Sequence, residues 1–159
     1  MPWLRATEEG AGVSVEENKA IVLRAFEEIN RGVLDAASGY VASDLALNGA
    51  QVGREAYKRR DEAMRAAFLD LRYDIEDLVA EGDTVVARWR MTGTHEGALA
   101  GPTMSVPPSG KRLDIWGMSL CRIEGGMVTE NWESFDMMEF LGQIGMLPSL
   151  GQSEQASPT

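Results

Sequence analysis

The chain has 159 residues, 44% hydrophobic and 25% charged, which suits one globular domain with enough apolar material for a sizeable core. A formal charge of −10 argues against nucleic acid or an anionic membrane as partner, since both repel an acidic surface. A single cysteine, Cys121, excludes an internal disulfide, one histidine leaves no metal-ligand spacing, and no apolar run is long enough to span a bilayer, so a soluble cytoplasmic protein without metal or cofactor is expected.

Residues 1–13 mix Pro, Gly and Glu without periodicity and are expected to form a flexible arm. Ser14 with Glu17 three residues on is a capping box, which marks a helix start. Val22, Phe26, Ile29 and Val33 then follow at helical spacing, and Gly32 comes near the end. A second, short helix is expected over 35–43, with Tyr40 and Val41 as its apolar contacts, then a brief strand over 44–49. Good helix formers fill 54–68, with Tyr57, Met64 and Phe68 on one apolar line.

Strands follow. Leu71, Tyr73 and Ile75 alternate with Arg72, Asp74 and Glu76, the period of a half-buried strand. Glu81-Gly82-Asp83 signals a hairpin turn into a strand over 84–94. Residues 97–110 carry Gly97, Gly101, Pro102, Pro107, Pro108 and Gly110, too many breakers for regular structure. A strand over 112–124 turns at Gly125-Gly126 into another strand, on which Trp132, Ser134 and Asp136 share one side. A short helix closes the domain, and the Ser, Gln, Gly and Pro of 148–159 are expected to be disordered. One domain over 14–147 is therefore expected. Its class is α+β, with helices against one face of a curved antiparallel or mixed sheet and a pocket between them.

Several segments together resemble one family. They are 18–30, Asp44 through Asn48, Gly53-Arg54-Glu55, Phe68-Leu69-Asp70-Leu71, Glu81-Gly82-Asp83-Thr84-Val85 and Arg88-Trp89. Gly93-Thr94-His95-Glu96-Gly97, Ser109-Gly110-Lys111, 126–132, Asp136 and Gln143-Ile144-Gly145 complete the set. In that order they resemble the SnoaL-like polyketide cyclases of the NTF2-like superfamily. The resemblance implies a cone of three N-terminal helices, a curved sheet and a short C-terminal helix. It also implies a pocket in the mouth for a flat, apolar, oxygen-rich polyketide-like molecule, and an aspartate as general acid/base of an intramolecular aldol ring closure. That role carries over onto Asp136, in the Trp-x-x-x-Asp position. A homodimer through the sheet is the expected assembly.

On physical grounds a buried carboxyl has a raised pKa and suits proton transfer near neutrality, whereas the competing reading of Asp136 is a cap for the closing helix. Arg88, mid-strand, pairs with Asp136 or Glu130 across the sheet, orients a substrate carbonyl, or points outward with Arg90. Asn48 either bonds a substrate oxygen or serves the turn before Gly49; His95 either reaches the pocket or makes a structural hydrogen bond. Trp116 and Trp132 are pocket walls or core, and Tyr40 is a candidate for closing the mouth. The loop over 98–109 is a candidate lid, and Met118, Met137 and Met138 are candidates for an adaptable lining.

Three rival readings remain. An epoxide hydrolase needs an Asp-Arg-Asp constellation, and on Arg88 and Arg90 the carboxylates are missing. A ketosteroid-isomerase-like site needs a Tyr and a protonated Asp, which Tyr40, Tyr57 and Tyr73 do not suggest. The third is a non-catalytic ligand-binding or dimer-forming protein.

Overall fold

The computed structural model describes residues 14–101 and 103–147. The expected arm over 1–13 and tail over 148–159 lie outside the described residues. Helix α1 (Val15–Arg31) starts where the capping box says it should. Ser14 Oγ accepts the Glu17 N–H (3.3 Å), and Glu17 Oε2 accepts the Ser14 N–H (2.8 Å), so two otherwise orphaned donors are satisfied reciprocally. The helix ends at Gly32, whose φ of 74° needs a residue without Cβ.

The second helix is shorter than expected. It spans α2 (Leu34–Ser38), and the chain is already extended in β1 (Val41–Leu47). Val41 and Ala42 are buried, and Val41 pairs with Val128, so sheet pairing and burial outweigh local helix preference there. After β2 (Ala50–Gln51) comes α3 (Gly53–Ala67), with fully buried Phe68 as its C-cap.

The remaining strands are β3 (Arg72–Glu81), β4 (Thr84–Thr94), β7 (Arg112–Glu124) and β8 (Met127–Phe135), closed by α4 (Met137–Gln143). The breaker-rich loop is not free of regular structure: β5 (Leu99–Ala100) pairs with β6 (Ser105–Val106) as a small separate hairpin. The main sheet runs β2-β1-β8-β7-β4-β3, antiparallel except for the parallel β1–β8 pair. Helix α1 packs on β3 and β4, α3 on β1 and α4 on β7, so the helices segregate to one face, as an α+β fold requires.

Two of the register shifts in this sheet, one in the β3–β4 pair and one in the β7–β8 pair, are β-bulges that decide which side chains point inward. In β3, Ile75 pairs with Trp89 but Asp77 pairs with Arg88, so Glu76 is an extra residue. In β8, Val128 pairs with Ile123 but Glu130 pairs with Arg122, so Thr129 is extra. An extra residue tightens the local twist and reverses the alternation beyond it. Along β8 the buried position therefore moves from Val128 to Asn131, and Glu133 and Phe135 continue that inner face.

Candidate active site

Between the helices and the concave face of the sheet lies a cavity of about 470 Å³, within the range of small-molecule sites. Its walls are mostly apolar: Phe26, Tyr73, Trp89, Phe135 and Phe140 supply rings, and Met64, Met91, Met104 and Met137 supply thioethers. The β5–β6 hairpin covers one side through Leu99, Ala100, Gly101, Thr103, Met104 and Val106. It is docked at its start, where the N–H groups of Glu96 and Gly97 both donate to Ala67 O (3.1 and 3.0 Å).

The polar part of the wall comes from α3 and β8. Tyr57, Arg60, Asp61 and Met64 recur at helical spacing and so share one face of α3. Arg60 grips Glu133 with both terminal nitrogens (2.5 Å to Oε2 and 3.1 Å to Oε1). Glu133 Oε1 also accepts from Tyr57 Oη (3.1 Å) and Asn131 Nδ2 (2.9 Å), and Asn131 Nδ2 donates to Tyr57 Oη (3.1 Å). The Arg60 guanidinium stacks 4.4 Å from the centre of the Tyr57 ring. Its Nη2 also reaches Asp61 Oδ1 at 3.4 Å.

One guanidinium thus stands between two carboxylates. Burial opposes the charge of Arg60, but the Glu133 carboxylate, with Asp61 beside it, more than compensates and holds its pKa above the usual value. Burial is also the main cause that pushes Asp61 up to about 6, with Arg60 pulling against it. Tyr57 is raised well above an ordinary phenol, by burial and then by Glu133, and stays protonated. The chemical result is a buried carboxyl that gains or loses a proton near neutrality, beside a fixed positive charge. Among the described residues no three of His, Cys, Asp or Glu come together in a way that would hold a metal ion.

The family model described as SnoaL-like polyketide cyclase matches residues 20–144. The chain belongs to the SnoaL-like polyketide cyclase family. Solved structures agree with that membership. AclR from Streptomyces galilaeus, a candidate hydroxylase, is 28% identical, with a TM-score of 0.74 over 87% of this chain and 91% of that one. A candidate SnoaL-like polyketide cyclase from Jannaschia sp. CCS1 is 26% identical, with a TM-score of 0.71 over 87% and 100% of the two chains. A candidate polyketide cyclase from Acidithiobacillus ferrooxidans is 27% identical, with a TM-score of 0.65 over 83% and 97%. No curated protein matches the chain. No helix among the described residues is long and apolar enough to cross a membrane.

Within this SnoaL-like cone the expected site residues fall mostly outside the cavity. Asp136 is exposed, and its Oδ1 accepts the Glu139 N–H (3.0 Å) as N-cap of α4, between the cavity residues Phe135 and Met137. Trp132, Ser134 and Asp136 do share a side, but the bulge at Thr129 turns that side outward. Trp132 is 47% exposed and Trp116 is 56% exposed, so neither is a cavity wall or core. Arg88 also faces out, bound to Asp77 (2.7 Å) and to Glu76, because the β3 bulge sets both carboxylates on its side.

Asn48 holds a left-handed backbone (φ 49°) and is not a wall, yet it touches the site indirectly. Its Oδ1 accepts the Glu133 N–H (2.8 Å), and its N–H donates to Asn131 O (2.9 Å). His95 is fully buried away from the cavity, with Nδ1 accepting from the Ser109 N–H (3.3 Å), and burial lowers its pKa. Tyr40 is half-buried outside the cavity, where its carbonyl accepts the Val128 N–H (2.8 Å). Of the expected methionine lining, Met137 is in place, whereas Met118 and Met138 are exposed.

The polar residues that sequence reasoning missed had signals. Asp61 lies on the very line of Tyr57, Met64 and Phe68, where a carboxylate on an apolar stripe is out of keeping with simple packing. Asn131 and Glu133 alternate with the residues that were chosen on β8, and only the bulge decides between the two sets. Arg88 has its two carboxylates, Glu76 and Asp77, on the outer face, whereas the acid–Arg–acid set that lines the cavity is Asp61, Arg60 and Glu133.

Proposed function

We propose that the protein is a small-molecule enzyme that uses cofactor-independent acid/base chemistry, such as intramolecular aldol cyclisation of a polyketide-like substrate. The observation that carries this reading is Asp61, buried in the wall of an apolar cavity beside the Arg60 guanidinium, where burial pushes its pKa up to about 6. The role expected of Asp136 passes to it. Ionised Asp61 takes a proton from carbon beside a carbonyl; the enolate carbon attacks a second carbonyl of the same molecule; and the new alkoxide takes the proton back. Mass is unchanged, and no outside reagent is needed.

Arg60 favours the negative charge as it passes from carboxylate to enolate. Glu133, Tyr57 and Asn131 hold Arg60 in place and remain where they are through the cycle. The aromatic and thioether walls fit a planar guest and exclude competing water. The test is incubation with planar polyketide intermediates that carry a β-dicarbonyl side chain, followed by chromatography and mass spectrometry. A product of unchanged mass is expected, formed at least about 10²-fold more slowly by Asp61→Asn. A fully active Asp61→Asn enzyme would remove Asp61 from the mechanism.

The carboxylate–guanidinium–carboxylate arrangement favours a second reading, water addition to an epoxide. A product heavier by one water separates it from ring closure. Binding with no conversion of either substrate class would favour the non-catalytic ligand-binding reading.

The outer face of the sheet supports assembly as a homodimer. Val79, Val86, Leu120 and Trp132 are cross-strand partners in one row over β3, β4, β7 and β8. Three of them are exposed, and Met118 and Trp116 extend the apolar area on β7. A patch of this kind suits a self-complementary interface between two sheets.

A further inference from the structure

A second, much smaller chamber of about 40 Å³ lies behind Asp61, between α1, α2, α3 and the sheet. It shares Phe26, Ile29, Tyr57, Asp61 and Ser119 with the main cavity, so these residues form the partition. Its other end is at α2 and α3, where it reaches half-buried Ser38 and Lys58, whose side chain is 23% exposed and bound to Asp35. At about 40 Å³ the chamber has room for a few waters, against about 470 Å³ in the main cavity.

Two polar groups at the partition keep unused hydrogen-bonding capacity among the described residues. Among the described residues Asp61 accepts one side-chain hydrogen bond, from Arg60 to Oδ1, and Oδ2 accepts none. Oδ2 is not sealed off by protein, and Asp61 lines both the chamber and the main cavity. Ser119 is 2% exposed, and its oxygen accepts the Trp89 Nε1–H (2.9 Å); its own hydroxyl proton has no acceptor among the described residues. A carboxylate oxygen needs a donor and a hydroxyl needs an acceptor, and a water supplies both.

We propose that this chamber is a water site for Asp61, in which water bonded to the carboxylate and to Ser119 leads out to solvent between α2 and α3. The proposal rests on the reading of Asp61 as the proton-carrying group, because it gives that group a solvent connection on the side away from the guest. Ring closure returns its proton to the substrate, so the water's part there is to keep the carboxyl solvated and its proton exchangeable.

A crystal structure at high resolution is expected to show an ordered water in the chamber within hydrogen-bond distance of Asp61; a dry chamber overturns the proposal. Titration of the Asp61 carboxyl carbon by NMR is the second measurement, made on the wild type, Ala37→Val and Ser38→Val. Ala37 and Ser38 line only the small chamber, so the added methyl groups displace water without entering the main cavity. Each variant that keeps its near-ultraviolet circular dichroism is expected to titrate on the order of one pH unit higher. An unchanged titration in both variants overturns the proposal. If the water and the shift are found but no substrate is ever turned over, the water site stands and the proposed chemistry falls.

Discussion

Replacing Asp61 with Asn should stabilise the protein at neutral pH, and the amount follows from its surroundings. Burial raises the carboxyl from 3.8 in the unfolded chain to about 6 in the folded one. Each unit is worth about 1.4 kcal/mol, so ionised Asp61 costs the fold about 3 kcal/mol above both values. The sign is fixed by linkage. Between pH 3.8 and about 6 the native state binds the extra proton, so this group's contribution is full below 3.8 and is lost as pH rises through 6. Asn is close in size, carries no charge and leaves Arg60 on Glu133.

At pH 7.5 the variant is expected to be more stable by about 2–3 kcal/mol, or roughly 5–10 °C in Tm for a domain of this size. At pH 4 the advantage should shrink below about 1 kcal/mol. Calorimetry across that range, together with urea denaturation, reads both numbers. A difference that is absent at pH 7.5, or present but flat with pH, would refute the claim that Asp61 is held in strained ionisation. Gain of stability with loss of turnover is the pattern expected of a functional carboxyl.

Glu133→Ala should do the opposite by leaving half-buried Arg60 without its main partner, with a loss of about 1–3 kcal/mol by denaturation and a fall in the Asp61 pKa below 6, visible by NMR. Asp136→Ala should cost only the helix cap, about 1 kcal/mol, and keep turnover within a few-fold; loss of activity at unchanged fold would return Asp136 to the mechanism. Gly117→Ala would place a methyl 2.2 Å from the Trp89 ring and 2.8 Å from Ser134 O, so it should close part of the cavity and abolish binding of a planar guest by calorimetric titration. Leu120→Glu on the outer face should leave the fold intact and give a monomer by light scattering, if two sheets pair there.

Much of the architecture was legible in local patterns. The capping box at Ser14, the alternation from Leu71 to Glu76 and the Gly125-Gly126 turn are short-range signals whose physics lies within a few residues. The family resemblance draws on the same signals in series. The end of α2 was misread because Val41 is held by a strand from the far end of the chain, which no local window contains.

The site shows the same division more sharply. The sequence by itself determined that Trp132, Ser134 and Asp136 lie on one side of a strand and that Tyr57, Asp61 and Met64 lie on one side of a helix, because backbone geometry imposes those periods. Which side meets the cavity was decided only in three dimensions. A single extra residue, Thr129, reverses the inward set of β8, so Glu133 rather than Asp136 meets Arg60. A bulge depends on how two strands register against each other, and that is a property of the assembled sheet.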